Sequence, residues 1–264
     1  MLVFSAFLVL SAVILFWISS FKVPSTESIQ QRRITESTKI YDKTSEILLY
    51  DTGGNVRRST VPIEQISRYI KNATLAIEDK NFYGHHGVEP LSFIRATLVN
   101  ITSMDFSQGG STITQQVVKN SLLTNEKLIS RKLKEWVLAI KLEQVTSKDE
   151  ILSMYLNEIP YGSSLYGVEA TAAALFGKKS SELTLAEAAL VASLPKAPSR
   201  LSPYGTHTDE LLARSRHVLD LMVESGWLQS SVTGEGAMNY SVKRNKEGYV
   251  FIPFIDGKGD IVSR

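Results

Sequence analysis

Residues 63–87, IEQISRYIKNATLAIEDKNFYGHHG, join a periodic apolar segment to a cluster of polar and aromatic side chains. The apolar side chains recur at intervals of three and four residues, the spacing that aligns them on one face of an α-helix. They are Ile63, Ile66, Ile70, Ala73 and Ile77. We predict a helix that buries this face and ends at two adjacent carboxylates.

Those carboxylates, Glu78 and Asp79, allow three interpretations: a solvated helix end, a metal site or an acid–base centre. An apolar wall disfavours the charged form of a carboxylate, so Glu78, beside Ile77, would be a stronger proton acceptor. For a single Glu–Asp pair, the solvated helix end is the more common outcome. The side chains that follow at fixed offsets, Phe82 and His85, favour a functional site instead.

Metal binding is the weaker alternative for this cluster. His85, His86 and Glu89 could be taken as ligands, but the chain has only 4 histidines and the other two lie in a distant segment. Those two have no ligand spacing to the first pair. We therefore assign no metal ligand, and expect His85 to orient a carboxylate or to satisfy buried backbone groups.

A second polar cluster occurs at residues 108–120, QGGSTITQQVVKN. Ser111 or Thr112 is a suitable N-cap for a following helix, whose exposed N–H groups favour an anion. Four polar side chains recur at helical spacing and are predicted to share one face: Thr112, Gln115, Gln116 and Lys119. An ordinary capped helix explains the cap, but not why the polar stripe ends in a lysine.

A third cluster is RKLKE at residues 131–135, inside a long helical pattern. Arg131 and Glu135 are four residues apart, so their side chains can touch on one helix face. Taken alone, this spacing is typical of a surface ion pair, which contributes about 0.3–0.5 kcal/mol.

The rest of the pattern predicts a mainly α fold. Short β runs around residues 39–41, 46–50 and 56–60 are predicted to form one small sheet. Further helices are predicted at residues 89–102, 111–123, 126–146, 148–157, 165–176, 184–194 and 208–225. The predicted parts are a transmembrane anchor (1–21), a connector with the β element (22–60), the main helical domain (61–228) and a C-terminal extension (229–264). The prediction leaves open whether a further domain follows this extension.

Residues 1–21, MLVFSAFLVLSAVILFWISSF, carry no charged side chain. About 20 such residues span the ~30 Å hydrocarbon core as a helix. A cleaved signal peptide is the alternative, but it would need a basic start, a shorter apolar run and a small-residue cleavage site. Basic residues follow the segment, which by the positive-inside rule would place the body of the chain in the cytoplasm.

Composition excludes two other classes. A net charge of +2 in 264 residues argues against nucleic-acid binding. The chain has no cysteine, so disulfides and thiolate catalysis are excluded.

Five ordered motifs resemble those of the peptidoglycan glycosyltransferase family, which comprises the N-terminal domain of class A penicillin-binding proteins and the monofunctional transglycosylases. EDKNFYGHHG matches the first motif, GGSTITQQ with Lys119 and Asn120 the second, and R-K-x-x-E the third. KDEILSMYLN with the later YGVEA and FGK matches the fourth, and LTLAEAALVASLPKAPS the fifth. Five motifs in order make the match highly specific.

The resemblance implies a lysozyme-like fold of two helical lobes, and polymerisation of lipid II into glycan strands with release of undecaprenyl pyrophosphate. It implies that Glu78 is the general base for the acceptor's 4-hydroxyl in an inverting displacement, and that Glu135 is the second catalytic carboxylate, assisting the transfer or holding Arg131. It implies that Lys119 and Arg131 neutralise the pyrophosphate. The other substrate-binding residues that it implies are Asp79, Phe82, His85, Thr112, Gln116 and Asn120.

The resemblance implies at most a divalent metal ion, Mg²⁺ or Mn²⁺, and no organic cofactor. The expected partners are lipid II, the lipid-linked glycan strand, the bacterial membrane and other cell-wall synthesis proteins, and no nucleic acid. The expected location is the bacterial cytoplasmic membrane, with a single-pass anchor and the catalytic domain on the extracytoplasmic face. That placement runs against the positive-inside signal.

Two other functions remain open. A lytic muramidase needs a carboxylic acid near the scissile bond but no cations for a pyrophosphate, so Lys119 and Arg131 disfavour it. A non-catalytic, membrane-anchored scaffold that binds wall precursors would be favoured if Glu78 or Glu135 were missing, and both are present.

Overall fold

The computed structural model describes residues 4–5, 12, 16, 20–21, 39–41, 43–44, 48–51, 57–103, 110–121, 128–162, 164–228, 243–244 and 250–251. Most of the predicted anchor, of the connector and of the C-terminal extension lies outside these residues. In the part of the chain that is described, no helix is both long enough and apolar enough to cross a bilayer.

The described residues form eight α-helices, which confirms the mainly α prediction. They are α1 (Arg68–Glu78), α2 (Pro90–Ser103), α3 (Ile113–Ser121), α4 (Leu128–Val145), α5 (Lys148–Glu158), α6 (Val168–Phe176), α7 (Leu185–Ser193) and α8 (Thr208–Glu224). Single 3-10 turns occur at Ile63–Gln65, Ser180–Glu182 and Leu194–Lys196.

Short strands form three small sheets in the described residues. They are β1 (Lys39–Tyr41), β2 (Leu48–Asp51), β3 (Arg57–Arg58), β4 (Pro160–Gly162), β5 (Leu165–Tyr166), β6 (Lys243–Arg244) and β7 (Val250–Phe251). The strands β1 and β2 pair antiparallel, as do β6 and β7. The central strand β5 pairs parallel with β3 and antiparallel with β4.

Two predictions about these segments are wrong. The third β run does not join the first two, because it pairs with residues near 165 instead. The helix predicted from residue 165 begins only at Val168, because Gly167 has φ +80° and does not continue the helix. A Cβ at Gly167 would lie 2.5 Å from the carbonyl oxygen of Asn157, so this close approach requires glycine.

The chain divides into two compact units. The first unit comprises Met1–Arg33 and Gly84–Ile151, and the second comprises Ile34–Tyr83 and Leu152–Arg264. The lysozyme-like arrangement of two lobes stays a prediction.

The core of the second unit is built on α7, which packs against α1 and α8. Every residue of α7 from Ala186 to Ser193 is buried, as expected for a helix whose small apolar side chains face neighbours on all sides. The predicted stripe of α1 is buried at Ile66, Ile70 and Ala73. Ile63 is only half-buried, because Ser67 caps α1 and places residue 63 in the preceding 3-10 turn.

The core of the first unit lies between α3 and α4. Its apolar side chains include Ile113, Val118 and Leu142, each without measurable exposure. The loop before α2 packs on the backbone of α4 at Gly87, where φ is +87° and a Cβ would lie 2.6 Å from the carbonyl oxygen of Ala139. The last glycine of the first motif is therefore a packing requirement.

Candidate active site

Glu78 is the last residue of α1, in the second unit. The N–H of Asp79 closes the helix on the carbonyl oxygen of Leu75 at 3.0 Å. The Glu78 side chain is 15% exposed, so its carboxylate is largely withdrawn from solvent. A carboxylate at a helix C-terminus faces the negative end of the helix dipole, and a nearby cation is needed to offset this.

Arg214, on α8, supplies that cation. Its Nη2 atom lies 3.9 Å from Oε1 of Glu78, and its Nε–H donates to the carbonyl oxygen of Ser193 at 3.2 Å. Ser193 is the last residue of α7, so one guanidinium serves the C-terminal ends of two helices. Burial lowers the pKa of Arg214, while the charges of Glu78 and Tyr155 raise it. An arginine stays protonated at neutral pH in this balance.

Arg214 was not predicted from the sequence. The available signal was its position three residues after buried Leu211 and next to buried Ser215, on the core face of α8. An arginine there has to find a partner in the interior. Nothing in the spacing indicated that this partner is Glu78.

Two tyrosines lie close to the same carboxylate. Tyr155 is 1% exposed and Tyr161 is 3% exposed. Burial raises the pKa of both phenols, and the negative charge of Glu78 raises it further, whereas Arg214 lowers that of Tyr155. Both phenols therefore stay protonated at neutral pH and do not act as bases.

Asp79 and Phe82 belong to the interior of the second unit. The backbone carbonyl of Asp79 accepts a hydrogen bond from the N–H of Phe82 at 3.0 Å, which fixes the turn after α1. Asp79 is 6% exposed and Phe82 is 1% exposed. The Phe82 ring stands edge-on to that of Tyr83, with centroids 5.2 Å apart. These two motif residues support the turn that holds Glu78.

Glu135 is buried in the first unit, on α4, and the structure pairs it with Lys132. The Lys132 Nζ atom lies 2.5 Å from Oε1 of Glu135 and donates to Oγ of Ser111 at 2.7 Å. Among the described residues, Glu135 forms no ion pair with Arg131, which lies one turn away in the sequence. Arg131 is half-buried. The i, i+3 spacing of Lys132 to Glu135 was a signal for this pair, but the sequence-based prediction named Arg131 instead.

Thr112 forms a capping box with Gln115 at the start of α3. The Thr112 N–H donates to Oε1 of Gln115 at 2.8 Å, and the Gln115 N–H donates to Oγ1 of Thr112 at 3.1 Å. The Thr112 hydroxyl in turn donates to the carbonyl oxygen of Gly87 at 2.6 Å. The prediction of a shared polar face is therefore wrong for Thr112 and Gln115, which are buried, whereas Gln116 is half-buried. Lys119 and Asn120 are exposed near the end of α3.

His85 lies beside a carboxylate that the sequence analysis missed, Glu143 on α4. The Oε1 atom of Glu143 accepts hydrogen bonds from Oγ1 of Thr114 at 2.5 Å and Nζ of Lys148 at 2.7 Å. The Nδ1 atom of His85 lies 3.9 Å from the same oxygen. The cluster ties the loop before α2 to α3 and α4, so the structure places His85 in a supporting position.

The predicted site residues divide between the two units. Glu78, Asp79 and Phe82 lie in the second unit. The first unit holds His85, Thr112, Gln116, Lys119, Asn120, Arg131 and Glu135. A common cleft for all of them stays a prediction. Within the described ranges, no group of three or more His, Cys, Asp or Glu side chains could hold a metal ion.

Comparison with known proteins places this arrangement in a family. A family model described as Transglycosylase matches residues 45–223. Penicillin-binding protein 1A of Aquifex aeolicus (strain VF5) is 42% identical over 214 residues, which cover 79% of this chain and 29% of that protein. Penicillin-binding protein 1A of Escherichia coli (strain K12) is 41% identical, over 78% of this chain and 24% of that protein. Penicillin-binding protein 1F of Bacillus subtilis (strain 168) is 40% identical, over 75% of this chain and 28% of that protein.

The chain thus spans less than a third of the length of these relatives. The matched residues contain Glu78, Glu135 and Arg214, and all five sequence motifs. The family predicted from those motifs is confirmed: the chain belongs to the transglycosylase family.

Proposed function

We propose that the chain is a peptidoglycan glycosyltransferase of bacterial cell-wall synthesis. It polymerises lipid II into glycan strands and releases undecaprenyl pyrophosphate. The observation that carries the proposal is the environment of Glu78: a largely buried carboxylate at a helix end, beside Arg214 and two protonated phenols, in a chain of the transglycosylase family.

Glu78 is the general base of the proposed reaction. It takes the proton from the acceptor's 4-hydroxyl while that oxygen attacks the anomeric carbon of the donor, and the bond to the pyrophosphate breaks on the opposite face. Arg214, with its Nη2 atom 3.9 Å from Oε1 of Glu78, offsets the negative end of the α1 dipole and holds the carboxylate in place for the acceptor. Direct displacement inverts the anomeric centre and needs no covalent glycosyl-enzyme.

Lys119, Asn120 and Arg131 are the groups proposed to receive the leaving pyrophosphate. Lys119 and Asn120 are exposed near the end of α3, so a ligand can reach them. With Arg131, Lys119 neutralises the developing negative charge, and Glu135 is the second carboxylate of the reaction. Thr112, Gln116 and His85 support this region, as Asp79 and Phe82 support Glu78.

No reaction step is assigned to a metal. The Mg²⁺ or Mn²⁺ ion that the resemblance allows would need a set of oxygen ligands. The described residues hold no group of three or more carboxylate or histidine side chains that could form such a site. The cations of the chain itself, Lys119 and Arg131, are proposed to neutralise the leaving group.

The proposed location is the bacterial cytoplasmic membrane, with the catalytic domain on the extracytoplasmic face. The uncharged residues 1–21 support a single-pass anchor, and a lipid-linked substrate would be met at that surface. The proposed partners are lipid II, the lipid-linked glycan strand and other wall-synthesis proteins.

The test is to incubate the full chain in detergent with fluorescent lipid II and to size the products. Polymerisation gives longer strands, a lytic enzyme shortens wall fragments, and a scaffold gives no product. Glu78→Gln is expected to lose about 10²–10⁴-fold in turnover while it still binds lipid II, because a positioned base contributes a factor of this size. Glu64→Gln, at an exposed carboxylate in the 3-10 turn before α1, is the matched control and should keep the wild-type rate. A Glu78→Gln variant with the wild-type rate would refute the assignment of the base.

A further inference from the structure

The partner of Glu135 is an unexpected feature of the first unit. Its side chain is 4% exposed, and an ionised carboxylate this buried is costly unless it is paired. Lys132, one turn earlier on α4, provides the pair at 2.5 Å. Among the described residues, Lys132 is the charged side chain that contacts Glu135.

Lys132 also joins three elements of the first unit. Its ammonium donates to Oγ of Ser111, just before α3, at 2.7 Å. It also lies 6.0 Å from the ring centroid of Phe93 on α2, at the limit of a cation–π contact. The Phe93 ring packs edge-on against Trp136, with centroids 5.2 Å apart. Ser111 and Phe93 carry no charge, so the ammonium charge is directed at Glu135.

We propose that Lys132 is a positioning residue, which pairs with Glu135 and holds its carboxylate in a fixed orientation. Glu135 then acts in the proposed reaction as a fixed negative charge, which stabilises positive charge developing at the anomeric carbon of the donor, and not as a proton donor. This inference rests on the proposed function. It separates the two basic residues of the third motif: Lys132 serves the carboxylate, and Arg131 serves the substrate.

The role of Lys132 follows from its short contacts. A lysine on the protein surface without a structural role would stay hydrated and mobile. The Lys132 side chain, by contrast, is only 32% exposed and makes two hydrogen bonds. Without the ammonium, the buried carboxylate would lose its paired charge and the contact that fixes its orientation.

The activity test compares Lys132→Met, Lys132→Arg and Lys134→Met in the full chain with fluorescent lipid II. For Lys132→Met we expect kcat near neutral pH to fall by about 10–100-fold with KM changed by less than about threefold, the pattern of an interaction made only in the transition state. Lys132→Arg keeps the charge and should restore most of the rate. Lys134→Met is the control, because the Lys134 ammonium lies over the Phe21 ring and not at Glu135.

A second measurement does not depend on activity. We compare the unfolding equilibria of Lys132→Met, Glu135→Gln and the double variant. The cycle should show at least a tenfold coupling in the unfolding equilibrium constant, because Lys132→Met leaves a buried charge unpaired only while Glu135 is present. If the two substitutions are additive, or if Lys132→Met keeps the wild-type kcat, the inference is overturned. If the wild-type chain polymerises nothing, the proposed function fails, and the unfolding cycle still decides whether Lys132 holds Glu135.

Discussion

Replacing Arg214 by methionine should lower both the stability of the chain and the rate of the proposed reaction. The guanidinium lies beside the Glu78 carboxylate and donates to the carbonyl oxygen of Ser193, so it joins the C-terminal ends of α1 and α7. Its loss removes an ion pair from a largely buried carboxylate and leaves that carboxylate less firmly oriented towards the acceptor hydroxyl. The tyrosines near this carboxylate, Tyr155 and Tyr161, stay protonated and neutral, so neither supplies a replacement cation.

The loss of stability can be derived from the distance between the two charges. Two unit charges 4 Å apart interact by about 4 kcal/mol at an effective dielectric constant of 20. The Nη2 and Oε1 atoms lie 3.9 Å apart, and the side chains of Arg214 and Glu78 keep 21% and 15% of their exposure, so water screens part of the interaction. Taking roughly a third of the full value gives about 1.3 kcal/mol for the ion pair.

The assay is denaturant or thermal unfolding, with the initial rate of lipid II polymerisation measured in parallel. Loss of the hydrogen bond from Nε to Ser193 should lower the stability of Arg214→Met by a further ~1 kcal/mol. Arg214→Lys keeps a charge and should lose less stability. Arg216→Met is the matched control, the same substitution at an exposed position of α8. An Arg214→Met protein with the stability and the rate of the wild type would refute the reasoning.

Two further predictions concern the packing around the site. Gly87→Ala should lower the free energy of unfolding by about 2–4 kcal/mol, because φ is +87° and the new Cβ would lie 2.6 Å from a backbone carbonyl of α4. Gly226→Ala is the control that separates the clash from the backbone strain, because Gly226 has φ +74° and no described atom within 4 Å of the new Cβ. It should lower the free energy of unfolding by only about 1–2 kcal/mol. Equal losses in thermal or denaturant unfolding would contradict this account. Tyr155→Phe should leave the pH–rate profile unchanged, because burial and Glu78 raise the pKa of this phenol and keep it protonated. The variant should be as stable as the wild type or more stable by up to about 1 kcal/mol, because the Tyr155 hydroxyl has no hydrogen-bond partner among the described residues. A clear loss of stability would contradict this prediction.

The local elements of this chain were largely predictable. The stripe at Ile66, Ile70 and Ala73 predicted a helix, because apolar residues at this spacing can be buried together only on a helix face. The predicted first residues of α1 and α6 lie several residues too early, because the Ser67 cap and the positive φ of Gly167 decide where these helices begin. Boundaries of this kind depend on single-residue backbone conformations, which periodicity does not encode.

The candidate site was predictable only in its residue types. Glu78 and Glu135 were identified from motifs, but their partners were not. Lys132 was overlooked because side chains at i, i+3 and at i, i+4 can both reach Glu135, and Arg131 occupies the second of these positions. Only the packing of α2, α3 and α4 decides which of the two cations reaches the carboxylate. The capping box at Thr112 likewise removed two residues from the polar face that their spacing had predicted.

The sequence by itself determined the family and the mainly helical fold, and it indicated Glu78 and Glu135 as the candidate catalytic carboxylates, because these follow from residue order and local spacing. The tertiary structure alone decided that Arg214, 136 residues after Glu78, supplies the cation beside the Glu78 carboxylate. It also decided that Glu143 lies beside His85. Such contacts join helices that are distant in the chain. They form because a buried charge has to pair with an opposite charge that the packing brings near it. The spacing of residues in the sequence does not predict such long-range pairs.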